Sequence, residues 1–253
     1  MKKTHELSFD KTIEFSRRYY KDHTTLLGES LSAHCQQVAR QAETIAGRLY
    51  KDVRPDYFQD SSKDGIAAII HGALLHDIFN VGACPFEHVA EATTVQIAAS
   101  VADISRDFRL VETKRDMEFR GRLSQSPVSS QVIAAADIIC TANDALKFLT
   151  ASGHSAIPKV KKILTQLDGD LLAIHAANKY YSLRLYVHAA RNLLTTISQE
   201  IKTCKNRVKM ARIAAASTES LREKIAAREK ETAVPVETKG RKNAGKKSRT
   251  SNS

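Results

Sequence analysis

Hydrophobic positions recur at helical spacing along most of the chain, and no stretch keeps the alternation of a half-buried strand. The clearest case follows Ser30, a candidate N-cap, and extends to about Tyr50. Its apolar residues are separated by alternating steps of three and four, which places them on one face of a helix. The pattern therefore predicts an all-α protein with this helix packed into the core. The residues of this stripe are Leu31, Cys35, Val38, Ala42, Ile45 and Leu49.

Two further segments are apolar almost all the way round, which is typical of helices buried in the centre of a protein. The first covers residues 66–79. The second begins at Pro127, a residue favoured at a first helical position, and reaches about Leu149. The remaining predicted elements are helices at about 8–22 and 86–104, two or three helices between about 157 and 230, and a polar loop over 105–126.

The composition changes near the C-terminus, where large apolar residues almost disappear after Glu231 and Lys, Gly, Ser, Thr and Asn predominate. Such a segment cannot bury enough surface to fold by itself. We therefore predict a globular helical domain over residues 1–190, a helical extension over 191–230 and a disordered basic tail over 231–253.

The net charge of +11 belongs mainly to this C-terminal part of the chain. Residues 201–253 contain 15 basic and 5 acidic side chains, so the preceding residues are nearly neutral. The basic tail could bind nucleic acid or an acidic membrane surface through counterion release, without sequence preference. Because no aromatic residues lie between the basic ones to stack on bases, a tail that only increases solubility is at least as good an alternative.

The sequence also argues against several classes of protein. There is no apolar run of about 18 residues or more, so no membrane-spanning helix is predicted. The charged residues that follow Met1 argue against a signal peptide. Cys35, Cys84, Cys140 and Cys204 are scattered without a C-x-x-C pair, and we interpret them as reduced thiols of a cytoplasmic protein.

Four polar residues interrupt the apolar segments, namely His34, His76, Asp77 and Asp137. Burying such a group costs on the order of a few kcal/mol unless it is paired. His76 and Asp77 are adjacent on the predicted central helix, about 100° apart around its axis, so both can turn toward one ion. Two imidazoles and two carboxylates suit a divalent ion such as Mn²⁺, Fe²⁺ or Zn²⁺, with positions left for water. Such an ion lowers the pKa of water and supplies a hydroxide-like nucleophile near neutral pH.

Each of these residues also has a simpler interpretation. His34 alone could be a core histidine bonded to a backbone carbonyl. The dipeptide His76-Asp77 occurs by chance in many proteins, and Asp137 could pair with an arginine. The combination of all four favours a shared metal site.

The segments around these residues resemble the HD-domain metal-dependent phosphohydrolases. They are most similar to the hydrolase domain of RelA/SpoT-type enzymes, including small stand-alone alarmone hydrolases, over roughly residues 10–150. The separation of 60 residues between Asp77 and Asp137 is close to the one that this family shows. The similar segments are 73–77, 86–89, 101–105, 114–115 and 132–137.

The resemblance implies an HD-type helical bundle that removes pyrophosphate from the 3′ position of guanosine tetra- or pentaphosphate, (p)ppGpp, leaving GDP or GTP. It implies Mn²⁺ as the usual ion. It also implies that His34, His76, Asp77 and Asp137 are the metal ligands.

The chain departs from this family beside the metal ligands. Where the family has a Glu-Asp pair that orients and deprotonates water, this chain has Asn80-Val81. An asparagine such as Asn80 can hydrogen-bond a water but cannot accept its proton at neutral pH. Asp144, seven residues beyond Asp137 on the same helix face, is a candidate replacement base. A surface or capping role for Asp144 is the alternative.

The candidate substrate-binding residues come from three parts of the chain. Thr141 stands where the family has a nucleotide-binding asparagine, and Lys21 belongs to a partly preserved substrate-binding stretch, 20–22. Lys114 and Arg115 lie in the predicted polar loop, where basic side chains can bind phosphates, most strongly through the arginine fork. The alternative for both is a solvated surface.

These observations lead to one main functional hypothesis and two alternatives. The main hypothesis is a metal-dependent phosphohydrolase acting on a nucleotide, with (p)ppGpp favoured by the resemblance. One alternative keeps the fold and changes the substrate to another nucleotide or phosphate ester. The other is a catalytically degenerate domain that binds a metal or nucleotide as a sensor or adaptor.

Overall fold

A computed structural model describes residues 8–52, 62–81, 84–177 and 180–232. These residues fold into helices and contain no β-strand, which confirms the predicted all-α class. A short 3-10 helix joins α7 to α8. The α-helices are α1 (Phe9–Tyr20), α2 (Leu31–Asp52), α3 (Ser62–Leu75), α4 (Phe86–Ala92), α5 (Val95–Asp103), α6 (Glu112–Gln125), α7 (Val128–Ser152), α8 (Ile157–Ala177) and α9 (Tyr181–Thr232).

The core is built around α2, α3 and α7, which pack against one another. The apolar stripe of α2 is buried as its spacing predicts; Ile45 and Leu49, for example, have no exposed surface. Gly72 of α3 allows a close approach to α7, because a Cβ atom there would lie only 2.8 Å from Cδ1 of Ile133. This close packing brings the polar residues of the three helices within reach of one another.

The ends of α7 follow from its flanking residues. The helix begins directly after Pro127, within one residue of the predicted start. It ends at Gly153, whose φ of +58° is a conformation that glycine adopts at little cost. The intervening 25 residues run through the middle of the core.

The central helix ends earlier than predicted. α3 stops at Leu75, and the residues after it form turns in which the Ile78 amide donates to the Leu75 carbonyl (2.9 Å). The Asn80 amide donates to the Asp77 carbonyl in the same way (2.9 Å). Hydrogen bonds to the third residue back tighten the chain relative to an α-helix. His76 and Asp77 therefore lie in the turn that follows α3, and the prediction that they lie on the helix is wrong.

The single helix predicted over 86–104 is divided into α4 and α5. Thr93 interrupts it with φ −133° and ψ −108°, which are not helical angles. Thr94 then caps α5, since its side-chain oxygen accepts from the Ile97 amide (3.2 Å).

The sequence predicts a polar loop over 105–126, but most of this segment is helical in the structure. It contains α6, which packs against α8. α6 buries only Phe119 and Leu123, one turn apart. Two apolar residues are too few to produce a helical period in the sequence, which explains the wrong prediction.

Contacts between Cα atoms divide the chain into two units, Met1–Lys205 and Asn206–Ser253. In the first unit, the early part of α9 buries apolar residues such as Leu183 and Ile197. In the second unit, the described residues form the distal part of α9, and Met210 and other apolar side chains there are exposed.

The predicted basic tail lies outside the described residues from residue 233 onward. Within the described part of the chain, no helix combines the length and the apolar composition that crossing a membrane requires. The cysteines at 35, 84, 140 and 204 are free thiols, as their spacing predicts.

Candidate metal centre

The fold brings together the four residues that the sequence selects as metal ligands. His34 comes from α2, His76 and Asp77 from the turn after α3, and Asp137 from the middle of α7. Nε2 of His34 lies 3.0 Å from Oδ1 of Asp137. Nε2 of His76 lies 3.7 Å from the same oxygen and 3.4 Å from Oδ2 of Asp77. Two ring nitrogens and two carboxylates therefore converge within a few ångströms.

The His76 ring is oriented by the helix that precedes it. Its Nδ1 lies 2.8 Å from the Ala73 carbonyl oxygen, an acceptor, so Nδ1 carries the proton and donates. Nε2 of the neutral ring is then left with its lone pair pointing toward the carboxylates. A histidine held in this way by a backbone carbonyl is typical of metal-ligating histidines.

The cluster fits a divalent cation because one of its four proposed donor groups is not satisfied by the others. Nε2 of His76 is buried and has no hydrogen-bond partner among the described residues, although Asp77 and Cys35 lie beside the ring. A buried nitrogen without a partner is costly. His34, His76 and Asp77 can place one ligand atom each within 4.8 Å of one another.

The electrostatics of the cluster are those of a site that needs positive charge. Burial lowers the pKa of His34, but the carboxylates of Asp137 and Asp144 outweigh burial and raise it to about 10. Burial likewise lowers the pKa of His76, and the groups of Cys35, Asp77 and Asp137 raise it to about 10. Burial raises the pKa of Asp137, but the two histidines outweigh it and hold that pKa well below its usual range. Without a metal, protons on the histidines supply the positive charge that a cation would supply.

A second group of polar residues lies on the other side of His34. Nδ1 of His34 is buried without a hydrogen-bond partner in the described part of the chain, and Oδ2 of Asp144 lies 3.7 Å from it. Lys147 donates to Oδ1 of Asp144 (2.9 Å), and Gln37 donates to Oε1 of Glu29 (2.7 Å). Burial raises the pKa of Asp144, but the neighbouring His34 and Lys147 side chains lower it to about 2. Asp144 is thus a carboxylate that faces His34, one of the predicted ligands, from outside the cluster.

Asn80 and Thr141 contact the predicted ligands directly. The Asn80 side chain donates to Oδ1 of Asp77 (2.6 Å) and accepts from the Arg106 amide (3.1 Å). The Thr141 hydroxyl donates to Oδ1 of Asp137 (3.1 Å). Both residues hold a carboxylate in place.

A cavity of about 330 Å³ opens onto this cluster. All four predicted ligands line it, together with Asn80, Val81, Thr141 and Asp144. Most of its remaining wall is apolar and comes from α2, the segment before it, the segment between α5 and α6, and helices α6 to α8. The apolar residues include Leu26, Leu31, Ile104, Phe108, Phe119 and Leu167.

Two arginines at the α6–α8 end of the cavity, the end away from the predicted ligands, are paired with carboxylates. Arg106 contacts Asp116 and Asp170, and its guanidinium lies 4.1 Å from the centre of the Phe119 ring. Arg120 donates from Nε to the same Asp170 (3.1 Å). Burial raises the pKa of Asp170, while Arg106 and Arg120 act in the opposite direction.

The remaining predicted substrate-binding residues lie farther from the ligands. Lys21 and Lys114 are exposed and do not belong to the described residues that line the cavity. Arg115 is half-buried, and its guanidinium lies 4.7 Å from the centre of the Phe108 ring at the cavity wall. The structure thus brings Thr141 into the cluster, places Arg115 at the edge of the cavity and leaves both lysines outside it.

Sequence reasoning missed two carboxylates that belong to this region, Glu29 and Asp170. Asp170 had a usable signal, because it lies between Leu167 and Ile174 on the buried face of α8. Glu29 had none, since it lies in an irregular segment before α2.

Comparisons with known proteins give one informative result. No protein-family model matches the chain, and no curated protein matches it. A solved structure described as a metazoan ortholog of SpoT that hydrolyzes ppGpp is similar, with a TM-score of 0.53 and 12% sequence identity. The similarity covers 72% of this chain and 92% of that chain. At this identity the likeness concerns the fold alone: the chain has an all-α fold similar to that of this SpoT ortholog, in agreement with the fold that the resemblance predicts.

Proposed function

We propose that the chain is a metal-dependent phosphohydrolase of the HD type that acts on a nucleotide. The observation that carries this proposal is the convergence of His34, His76, Asp77 and Asp137 on one cavity, with a buried ring nitrogen left without a hydrogen bond within the described chain. Such a set of nitrogen and oxygen donors suits a first-row divalent ion. Mn²⁺ is the ion that the resemblance favours.

The proposed ligands are Nε2 of the two histidines and the carboxylates of Asp77 and Asp137. A divalent cation held there supplies Lewis acidity toward a phosphoryl oxygen and lowers the pKa of water. Asp144 faces Nδ1 of His34 and serves as the carboxylate that orients a ligand histidine. Thr141 fixes Asp137 from the same helix.

Asn80 has a positioning role in this proposal. Its amide donates to Oδ1 of Asp77 and directs Oδ2 toward His76. The other end of its side chain holds the backbone at Arg106, which starts the segment leading into α6. Since Asn80 cannot accept a proton, Asp144 stays the candidate proton acceptor, although a pKa of about 2 makes it a weak base.

The finer proposal concerns the substrate. The fold of a ppGpp-hydrolyzing protein and the matching ligand set support removal of pyrophosphate from the 3′ position of (p)ppGpp. The replacement of the family's Glu-Asp pair by Asn80-Val81 favours a second candidate, hydrolysis of another nucleotide or phosphate ester. A degenerate domain that binds metal or nucleotide without turnover is the remaining alternative.

The deciding experiment is a substrate panel with the purified full chain and Mn²⁺. The panel contains ppGpp, nucleoside mono- and triphosphates and cyclic nucleotides, and released phosphate and pyrophosphate are measured separately. We expect turnover of at least one member and its loss in Asp77→Ala. Tight nucleotide binding without turnover of any member would support the sensor or adaptor instead. Absence of a stoichiometric divalent ion by elemental analysis would contradict the metal site itself.

A further inference from the structure

We infer that the cavity takes a phosphate monoester whose organic part is flat and carries little charge, a nucleoside monophosphate, in preference to a polyphosphate. This inference rests on the proposed phosphohydrolase function and names its substrate class. It follows from the charge of the cavity lining, the pairing of nearby cations and the apolar walls.

The charged side chains that line the cavity are mainly acidic. The lining contains four carboxylates but a single guanidinium, that of Arg106. The carboxylates belong to Asp77, Asp137, Asp144 and Asp170. A divalent cation at the histidines still leaves these lining side chains with one more negative than positive charge. One phosphate can sit at the cation, but further phosphates would lie against carboxylates, and such like-charge contacts strongly disfavour binding.

Two arginines near the cavity, Arg106 and Arg120, already have carboxylate partners and are therefore poor receivers of further phosphates. Arg106 contacts Asp116 and Asp170, and Arg120 bonds to Asp170 as well. Asp170 is only 5% exposed, so it cannot be released into solvent without a rearrangement of α8. A phosphate bound by these arginines would leave a buried carboxylate unpaired, which is strongly unfavourable.

The organic part of the substrate is suggested by the rest of the wall. Leu31, Ile104 and Leu167 each contribute a buried apolar side chain to the cavity lining. Phe108 also lines the cavity and remains 57% exposed, with the Arg115 guanidinium over its ring. An exposed aromatic ring beside a guanidinium provides a flat surface on which a nucleobase can stack.

The corresponding reaction is the hydrolysis of one ester bond. The oxygen of water forms a bond to phosphorus, and the bond from phosphorus to the ester oxygen breaks. The ester oxygen keeps the electron pair of that bond and takes a proton released by the water. The products are the nucleoside and inorganic phosphate, and no oxidant or second substrate is needed.

The test compares ligands that share one nucleoside. Guanosine 5′-monophosphate, GTP and ppGpp are titrated into the Mn²⁺-loaded full chain and into the metal-free chain by calorimetry, and kcat/KM is measured for each. We expect the monophosphate to exceed ppGpp by about tenfold or more in kcat/KM and in affinity. A preference for GTP or ppGpp in both quantities would overturn the inference. If the protein hydrolyses none of the three ligands, the hydrolase proposal fails for them. The order of their measured affinities then still tests whether a monophosphate is preferred to a polyphosphate.

Asp170→Asn tests the proposed cause of the preference. This change removes the carboxylate that Arg120 contacts and one of the two that Arg106 contacts, so the affinity for ppGpp should rise about tenfold relative to the monophosphate. The matched control is Asp107→Asn, which removes the same charge but frees Arg109, whose side chain is 91% exposed. An unchanged ratio in a folded Asp170→Asn protein would reject the electrostatic cause. If this variant does not fold, the ratio in the unchanged protein remains the test.

Discussion

At the α2–α7 end of the cavity, two histidines and two aspartates converge with a ring nitrogen left unbonded within the described residues. At the α6–α8 end, two guanidinium groups contact carboxylates: Arg106 contacts Asp116 and Asp170, and Arg120 contacts Asp170. The carboxylates of the first end are balanced by protons on its histidines when no metal is bound, whereas those of the second end are balanced by guanidinium groups. This difference is the basis for our proposals of a cation at the first end and of no polyanion at the second.

The largest expected effect tests the neutralised end. Arg106→Ala removes a guanidinium whose side chain is 11% exposed and leaves Asp170 buried without one of its partners. We expect the free energy of unfolding to fall by about 3–5 kcal/mol, as for other broken buried ion pairs. Urea unfolding followed by circular dichroism measures it. Arg109→Ala is the control, because that side chain lies almost wholly in solvent and should change stability little. Equal effects of the two changes would contradict the comparison.

The second prediction concerns the end that needs a cation. Asp77→Ala should weaken Mn²⁺ binding by more than about 100-fold. Loss of a residue that only supports a ligand typically weakens metal binding by about 10- to 100-fold, so a larger effect indicates a ligand. Titration calorimetry with the purified chain gives the dissociation constant. Asp107→Ala, a carboxylate outside the cavity lining, should bind Mn²⁺ as the unchanged protein does. Undiminished Mn²⁺ affinity in Asp77→Ala would exclude Asp77 as a ligand.

The third prediction uses pH to test whether protons on the histidines stabilise the metal-free protein in place of a bound cation. In the metal-free protein the pKa values of His34 and His76 are raised to about 10 from an ordinary value of 6.5. A histidine whose pKa is higher in the folded state than in the unfolded state stabilises the folded protein by binding a proton. This stabilisation is fully present below pH 6.5 and is lost as the pH rises toward 10. We therefore expect the metal-free protein to lose on the order of 2 kcal/mol between pH 6.5 and 9.

The measurement is urea unfolding at several pH values, with a chelator and with saturating Mn²⁺. Bound Mn²⁺ should flatten the profile, because ligating histidines no longer carry these protons. His34→Gln should remove part of the slope in the chelated protein. A flat profile with the chelator would show that the histidines are not protonated in the metal-free fold.

The smallest expected effect separates two roles for Asp144. If Asp144 orients His34, Asp144→Asn should weaken Mn²⁺ binding by about tenfold. If it is a proton acceptor instead, kcat should fall while Mn²⁺ affinity stays the same. Asp144→Glu should restore part of the lost function in either case, and Lys147→Met, which removes only the partner of Asp144, should have a weaker effect.

Sequence patterns were sufficient for the core and for much of the candidate site. The stripe of α2 predicted both the buried face and the position of His34, because helical spacing alone determines which residues share a face. Asp137 was recognised because a carboxylate in an apolar helix requires a partner. The end of α3 at Leu75 was not predictable from spacing, because the apolar residues continue through Ile78 and Phe79 into the turn.

The far end of the cavity was the least predictable part. Its charge depends on which arginine meets which carboxylate, and these partners lie far apart in the chain. Arg106 lies in the polar segment 105–126, and its pairing with Asp170 joins residues 64 positions apart. The sequence shows how many charged residues such a segment contains, but it does not show which of them are neutralised by a partner elsewhere in the chain.

The proposed ligand set also brings distant parts of the chain together at one point. His34 and Asp137 are 103 residues apart, and the turn after α3 lies between them in sequence. A cation held by all three segments would act as a removable cross-link that closes two long loops of the backbone. Its removal by a chelator would leave helix packing alone to hold α2, α3 and α7 together, and resistance to proteolysis in this region would then report how fully the ion is bound.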